Sequence, residues 1–180
     1  MRWLSFAVLA VLVLSLQGAL APRLEVLGLR PDWALVIVVF LALYATPRSA
    51  LIGAWVLGAG ADLMTLERPG LLSLTYVLLA WGIAGLREYV FRARPDTQFL
   101  LTLGAAAAAQ AAWVLYRALV YAEPGFGPGG ALLEILGGAA YTAIWAPPVH
   151  AILLRRAGLF GLRRPRYTHA GMQRWWKSGV

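Results

Sequence analysis

The sequence predicts an all-α integral membrane protein of six transmembrane helices with both termini on the cytoplasmic side (N-in, C-in), and three observations carry that prediction. Of 180 residues, 61% are hydrophobic and 13% are charged, with a mean hydropathy of +0.69, well outside the composition of soluble domains. Six apolar stretches, at about 3–20, 31–45, 47–64, 71–86, 97–121 and 132–154, are parted by breaks of Pro, Gly and Arg. The basic residues are distributed unevenly. An inner side made of Arg2, Arg48, Arg87, Arg92, Arg94 and the seven beyond Leu154 holds twelve, against three on the outer side, Arg23, Arg30 and Arg68. Residues 1–154 thus read as a single six-helix transmembrane domain and 155–180 as a basic cytoplasmic tail.

The first stretch, 3–20, is just long enough to span. It also imitates a signal peptide, with Ala19-Leu20-Ala21 as a cleavage site, but Pro22 would then stand first in the mature chain and obstruct processing. The segment 23–30 reads as a short polar loop, and Pro31 suits the first turn of the second helix, with Asp32 at its positive end. That helix has about fifteen residues, or roughly 22 Å at 1.5 Å each, against a hydrocarbon core of about 30 Å. It needs support from its neighbours or a thinned bilayer.

Thr46-Pro47 ends the second helix and starts the third, which carries Gly53, Gly58 and Asp62. Gly70 and Tyr76 mark the fourth. The fifth follows a basic loop closed by Pro95 and Asp96, and aligns Gly104, Ala108 and Ala112 on one stripe that admits close approach by another helix. The sixth follows a Gly- and Pro-rich turn at 123–130 and holds Pro147-Pro148, a kink or a break. The tail, with Trp175-Trp176 among its basic residues, should lie on anionic lipid.

Several function classes are excluded. The net charge of +8 is the flank of a membrane helix rather than a nucleic-acid footprint, since seven of sixteen basic residues follow Leu154. With no cysteine and only two histidines, far apart, there is no thiol chemistry and no zinc site. No Gly-x-Ser-x-Gly elbow, His-Glu-x-x-His pair or Walker loop is present, so the reading is non-enzymatic, without cofactor or metal.

The polar residues inside apolar stretches remain to be explained, because a carboxylate at the bilayer centre costs roughly 2.5–3.5 kcal/mol on insertion scales. Asp32 begins one helix and Asp62 ends the next, so the antiparallel pair sets both at the outer leaflet. One reading makes them an acid–base pair or a cation site. The preferred reading is structural: Asp32 is held by a helix dipole, and Asp62 pairs with Arg30 or Arg68. Arg117 and Glu134 are expected to form an ion pair near the outer ends of the fifth and sixth helices. His150 reads as a hydrogen-bonded residue at a helix end, and Gln110 as a midmembrane donor to another helix.

The pattern Pro31-Asp32, the apolar run 35–43, Gly53, Trp55, Gly58, Asp62, Gly70, Tyr76 and Gly82 resembles the family of the bacterial rod-shape-determining protein MreD. These features cover about fifty residues, and Gln17 and Pro22 add modest weight. The resemblance implies a non-catalytic scaffold of the cell-elongation complex in the bacterial cytoplasmic membrane. Its partners would be the transmembrane helix of MreC, then MreB, RodA and a class B penicillin-binding protein, with a homo-oligomer as a further expectation. On this view the glycines of the third helix and the small stripe of the fifth are docking grooves.

The family fold is also similar to the substrate-binding subunits of energy-coupling-factor vitamin transporters. The rival function is therefore a vitamin-binding subunit with an outer pocket lined by Asp32, Asp62, Arg117, Glu134, Trp33 and Trp113. Such subunits present an Ala-x-x-x-Ala patch on the first helix. Here Ala7 and Ala10 stand three apart, and the patch is absent.

Overall fold

A computed structural model describes residues 2–64, 70–86, 94–120 and 128–160. Arg68, Arg87, Arg92 and the tail beyond 160 lie outside the described residues, and so does most of the turn at 123–130. The described chain is an all-α bundle: α1 (Trp3–Leu20), α2 (Trp33–Tyr44), α3 (Pro47–Met64), α4 (Leu71–Leu86), α5 (Pro95–Val120) and α6 (Pro128–Arg155). Short 3-10 turns at Ala21–Leu24 and Ala157–Phe160 follow α1 and α6.

The bundle is built around α2. Every residue from Ala34 to Leu43 is buried, and α2 touches all five other helices. Its sequence is apolar all round, with no polar face to turn outward, which suits a helix enclosed on every side. At twelve residues it is about 18 Å long, shorter than expected, because Pro31 and Asp32 precede it rather than form its first turn. Around it, α3 packs most extensively on α4 and α5 on α6. The α1 helix leans on the bundle through Phe6, Ala10 and Val13, spaced along one face.

Gly58 lets α3 and α4 meet. A β-carbon there would stand 2.5 Å from the Ser73 Cα and 2.8 Å from its amide nitrogen, both backbone atoms that cannot swing aside. At Gly53 the obstacle would be the Leu41 methyl at 2.6 Å, with the Phe6 ring behind it at 3.4 Å. Both glycines are therefore used inside the bundle. Gly104 has nothing within 4 Å, and it lies with Leu100 and Ala108 on an exposed face of α5.

Pro147 and Pro148 neither break nor end α6, which runs through them to Arg155. Lacking N–H groups, they leave the carbonyls of Ala143 and Ile144 without their helical donors. At the far end of α6, the Phe160 carbonyl accepts a 3.0 Å bond from the Arg2 amide, so both ends of the described chain meet at one end of the bundle.

Many large apolar side chains are exposed on the exterior. Leu4 is 82% exposed and Leu63 83%, and Trp55, Leu78, Trp81, Leu115, Leu119 and Ile144 also face outward. Such a surface belongs in lipid rather than in water. Two stretches, Trp3–Leu24 and Pro95–Val120, are long and apolar enough to cross a membrane.

Because the α3–α4 contact is backbone on backbone, Gly58→Val should cost about 1–3 kcal/mol of stability or prevent folding. Gly85→Ala, on α4 with nothing within 4 Å of a new β-carbon, should be neutral or stabilising by up to about 1 kcal/mol. Thermal melts of the detergent-solubilised protein followed by size-exclusion fluorescence measure both.

Candidate functional site

The polar groups of the bundle gather where α2 begins. Asp32 is the N-cap of α2: one carboxylate oxygen accepts from the Leu35 amide at 3.0 Å, satisfying a donor the first helical turn leaves open. The other accepts from the Tyr76 hydroxyl of α4 at 2.5 Å. The Asp32 amide donates to the Thr142 hydroxyl of α6 at 3.1 Å. Gln17 of α1 spans the same turn, its amide nitrogen donating to the Pro31 carbonyl at 3.2 Å and its oxygen accepting from the Trp33 amide at 2.9 Å. One turn of chain is thus bonded by α1, α4 and α6 together.

Asp62 performs the same service for α4 from a different helix. Its carboxylate accepts from the amides of Gly70, Leu72 and Ser73, each at 3.0 Å, and from the Ser73 hydroxyl at 2.5 Å. A buried carboxylate at a helix N-terminus meets both the open amides and the positive end of the dipole. This corrects the expected pairing with Arg30. Arg30 bonds Glu25 at 2.6 Å on the exposed α1–α2 connection. The two acids thus serve two different helix starts, Asp32 that of α2 and Asp62 that of α4.

Arg117 of α5 and Glu134 of α6 form an ion pair, Nη2 donating to both carboxylate oxygens at 2.5 and 2.6 Å, with the guanidinium 5.9 Å from the Trp113 ring centre. His150 is fully buried, its Nε2 3.0 Å from the Val36 carbonyl of α2 and its ring against Phe40. Gln110 packs on Gly138, where a β-carbon would stand 3.1 Å from its nitrogen. At the opposite end of α2, Gln98 of α5 donates to the Tyr44 hydroxyl at 3.0 Å.

The residues assigned to an outer vitamin pocket are therefore committed to neighbours within the fold. A cleft of about 530 Å3 does open sideways between α3 and α4, lined by Trp55, Ala59, Leu63, Leu74 and Val77, with Asp62 and Ser73 at one end. Among the described residues no group of three or more His, Asp or Glu is placed to hold a metal ion.

Three members of the network were not singled out as site residues from sequence: Ser73, Thr142 and, beyond a passing likeness, Gln17. A serine or threonine in an apolar helix is too common to mark a site, and only their bonds to Asp32 and Asp62 distinguish them.

The Asp32 and Asp62 caps, Gly58 and Tyr76 all fall within the reach of one family comparison. The profile of rod shape-determining protein MreD matches residues 1–122, two thirds of the chain and all of α1 to α5. The chain belongs to the MreD family. MreD proteins are non-catalytic membrane scaffolds of the cell-elongation machinery. Comparison with curated proteins and with solved structures returned no significant match. Thr142, Glu134 and His150 lie beyond the matched residues, so α6 completes a network whose other parts are within the MreD match.

Removing the Tyr76 hydroxyl leaves a buried carboxylate short of a donor. Tyr76→Phe should therefore lower stability by about 1.5–3 kcal/mol. Combined with Asp32→Ala it should cost less than the sum of the single changes, and a double-mutant cycle on thermal midpoints in detergent measures the difference.

Proposed function

We propose that this MreD-family chain is a six-span, N-in/C-in scaffold of the bacterial cytoplasmic membrane, formed by residues 1–154, that holds the transmembrane helix of MreC against α5. The observation that carries the reading is the state of its small residues. Gly53 and Gly58 are consumed by internal packing, whereas Gly104 and Ala108 lie on an exposed face of the 26-residue α5, with Ala112 partly exposed beside them. In lipid, helices associate by close packing and hydrogen bonding rather than by escape from water, and small residues four apart permit that approach. The meeting of Arg2 with Phe160 suits an even number of crossings. Arg48 and Arg156, both exposed, stand at that same end, where they would meet anionic lipid or MreB. Links to RodA and a penicillin-binding protein would then run through MreC.

Gly104→Leu with Ala108→Leu should abolish copurification of MreC and the rod shape of the cell, while leaving the melt of the isolated protein unchanged. Undiminished MreC recovery at normal expression would remove α5 as the docking face.

A further inference from the structure

The connection between α1 and α2 is built for a medium that offers no hydrogen bonds. The Leu24 carbonyl accepts from the Tyr141 hydroxyl of α6 at 2.7 Å, and Val26 and Leu29 exchange two backbone bonds of 3.1 and 2.9 Å. Pro31, Asp32 and Trp33 take their partners from Gln17 and Thr142. Arg30 and Glu25 neutralise each other. In water such side-chain partners are unnecessary, but in lipid each unmet backbone group is costly.

The tip of this connection is apolar. Leu27 and Gly28 both have positive φ, +55° and +79°, the conformation of a type I′ turn, which favours Asn, Asp or Gly. Leu27 keeps its strained conformation with 87% of its surface exposed, beside Val26 at 56%. A branched apolar residue there is the reverse of what an aqueous turn selects. The height of the segment agrees. Leu29 packs on Gly137, nine residues inside α6, and beyond that point α6 continues for about 13 Å with Leu132, Leu133 and Leu136 exposed. Lipid-facing surface therefore extends past the level of this connection, and the exposed Arg23 can reach up to headgroup phosphates on its long stem.

We infer that residues 21–30 form a cap embedded in the leaflet distal to the chain termini, with Val26 and Leu27 against phospholipid acyl chains. This rests on the multi-span reading given above. The cap separates the Asp32 network from water, so the hydrogen bonds that bind α1, α4 and α6 to α2 face no competing solvent.

The chain has no cysteine, so single cysteines can be labelled with an environment-sensitive fluorophore without background. Leu27→Cys is compared with Leu78→Cys, exposed midway along α4, and Asp96→Cys at the termini end of α5. The protein is reconstituted in phosphatidylethanolamine–phosphatidylglycerol vesicles, with doxyl-labelled lipid as one quencher and iodide on both faces as the other. The expected result is loss of fluorescence to doxyl lipid at positions 27 and 78 and to iodide only at 96. Iodide quenching at 27, with 78 still lipid-quenched, overturns the cap alone. Iodide quenching at both overturns the multi-span reading along with it. If neither quencher reaches 27, protein covers the tip and lipid contact is excluded.

Discussion

A helix enclosed on every side has nowhere to put the polar groups at its ends except onto its neighbours, and α2 is such a helix. Its first turn carries open amides that would cost several kcal/mol each in hydrocarbon. Asp32 answers one of them, and in doing so brings a carboxylate inside the bundle that must itself be satisfied. Tyr76 of α4 supplies that bond. Thr142 and Gln17 complete the turn from α6 and α1. The arrangement of the outer helices about α2 follows in large part from this one requirement, because within lipid apolar contact alone gives one apolar helix little reason to prefer a particular neighbour.

Asp62 repeats the solution at the start of α4, from the end of α3. With Gly58 permitting Ser73 to approach, the α3–α4 pair is held by a backbone contact at one point and a four-donor cap a turn away. Two acids that suggest catalysis in a linear sequence are thus spent on joining helices. Such an internally joined frame, with large apolar side chains left exposed on its outside, suits a non-catalytic membrane scaffold.

Much of the fold was legible. The apolar stretches and their Pro and Gly breaks locate six helices to within a few residues, since backbone polar groups in an apolar chain have few alternatives to helix. Tyr76, Asp32 and Asp62 stood out because charge and hydroxyl are rare in such stretches. Their partners did not. Arg30 and Asp62 looked complementary by sign and depth, yet Arg30 had a nearer acid in Glu25 and Asp62 had the open amides of α4. Nor does sequence distinguish Gly58 from Gly104: both sit in apolar helices, but one faces Ser73 and the other faces outward.

The sequence by itself determined the class of the molecule, the place of its helices and its family, because these follow from local composition, periodicity and a motif read along the chain. Only the tertiary structure decided which acid caps which helix, which glycines are filled from inside, and that a segment read as a polar loop turns an apolar tip outward. Each of those depends on distances between residues far apart in sequence, such as Asp32 and Thr142, and is settled by hydrogen-bond partners and steric contacts that no local pattern encodes.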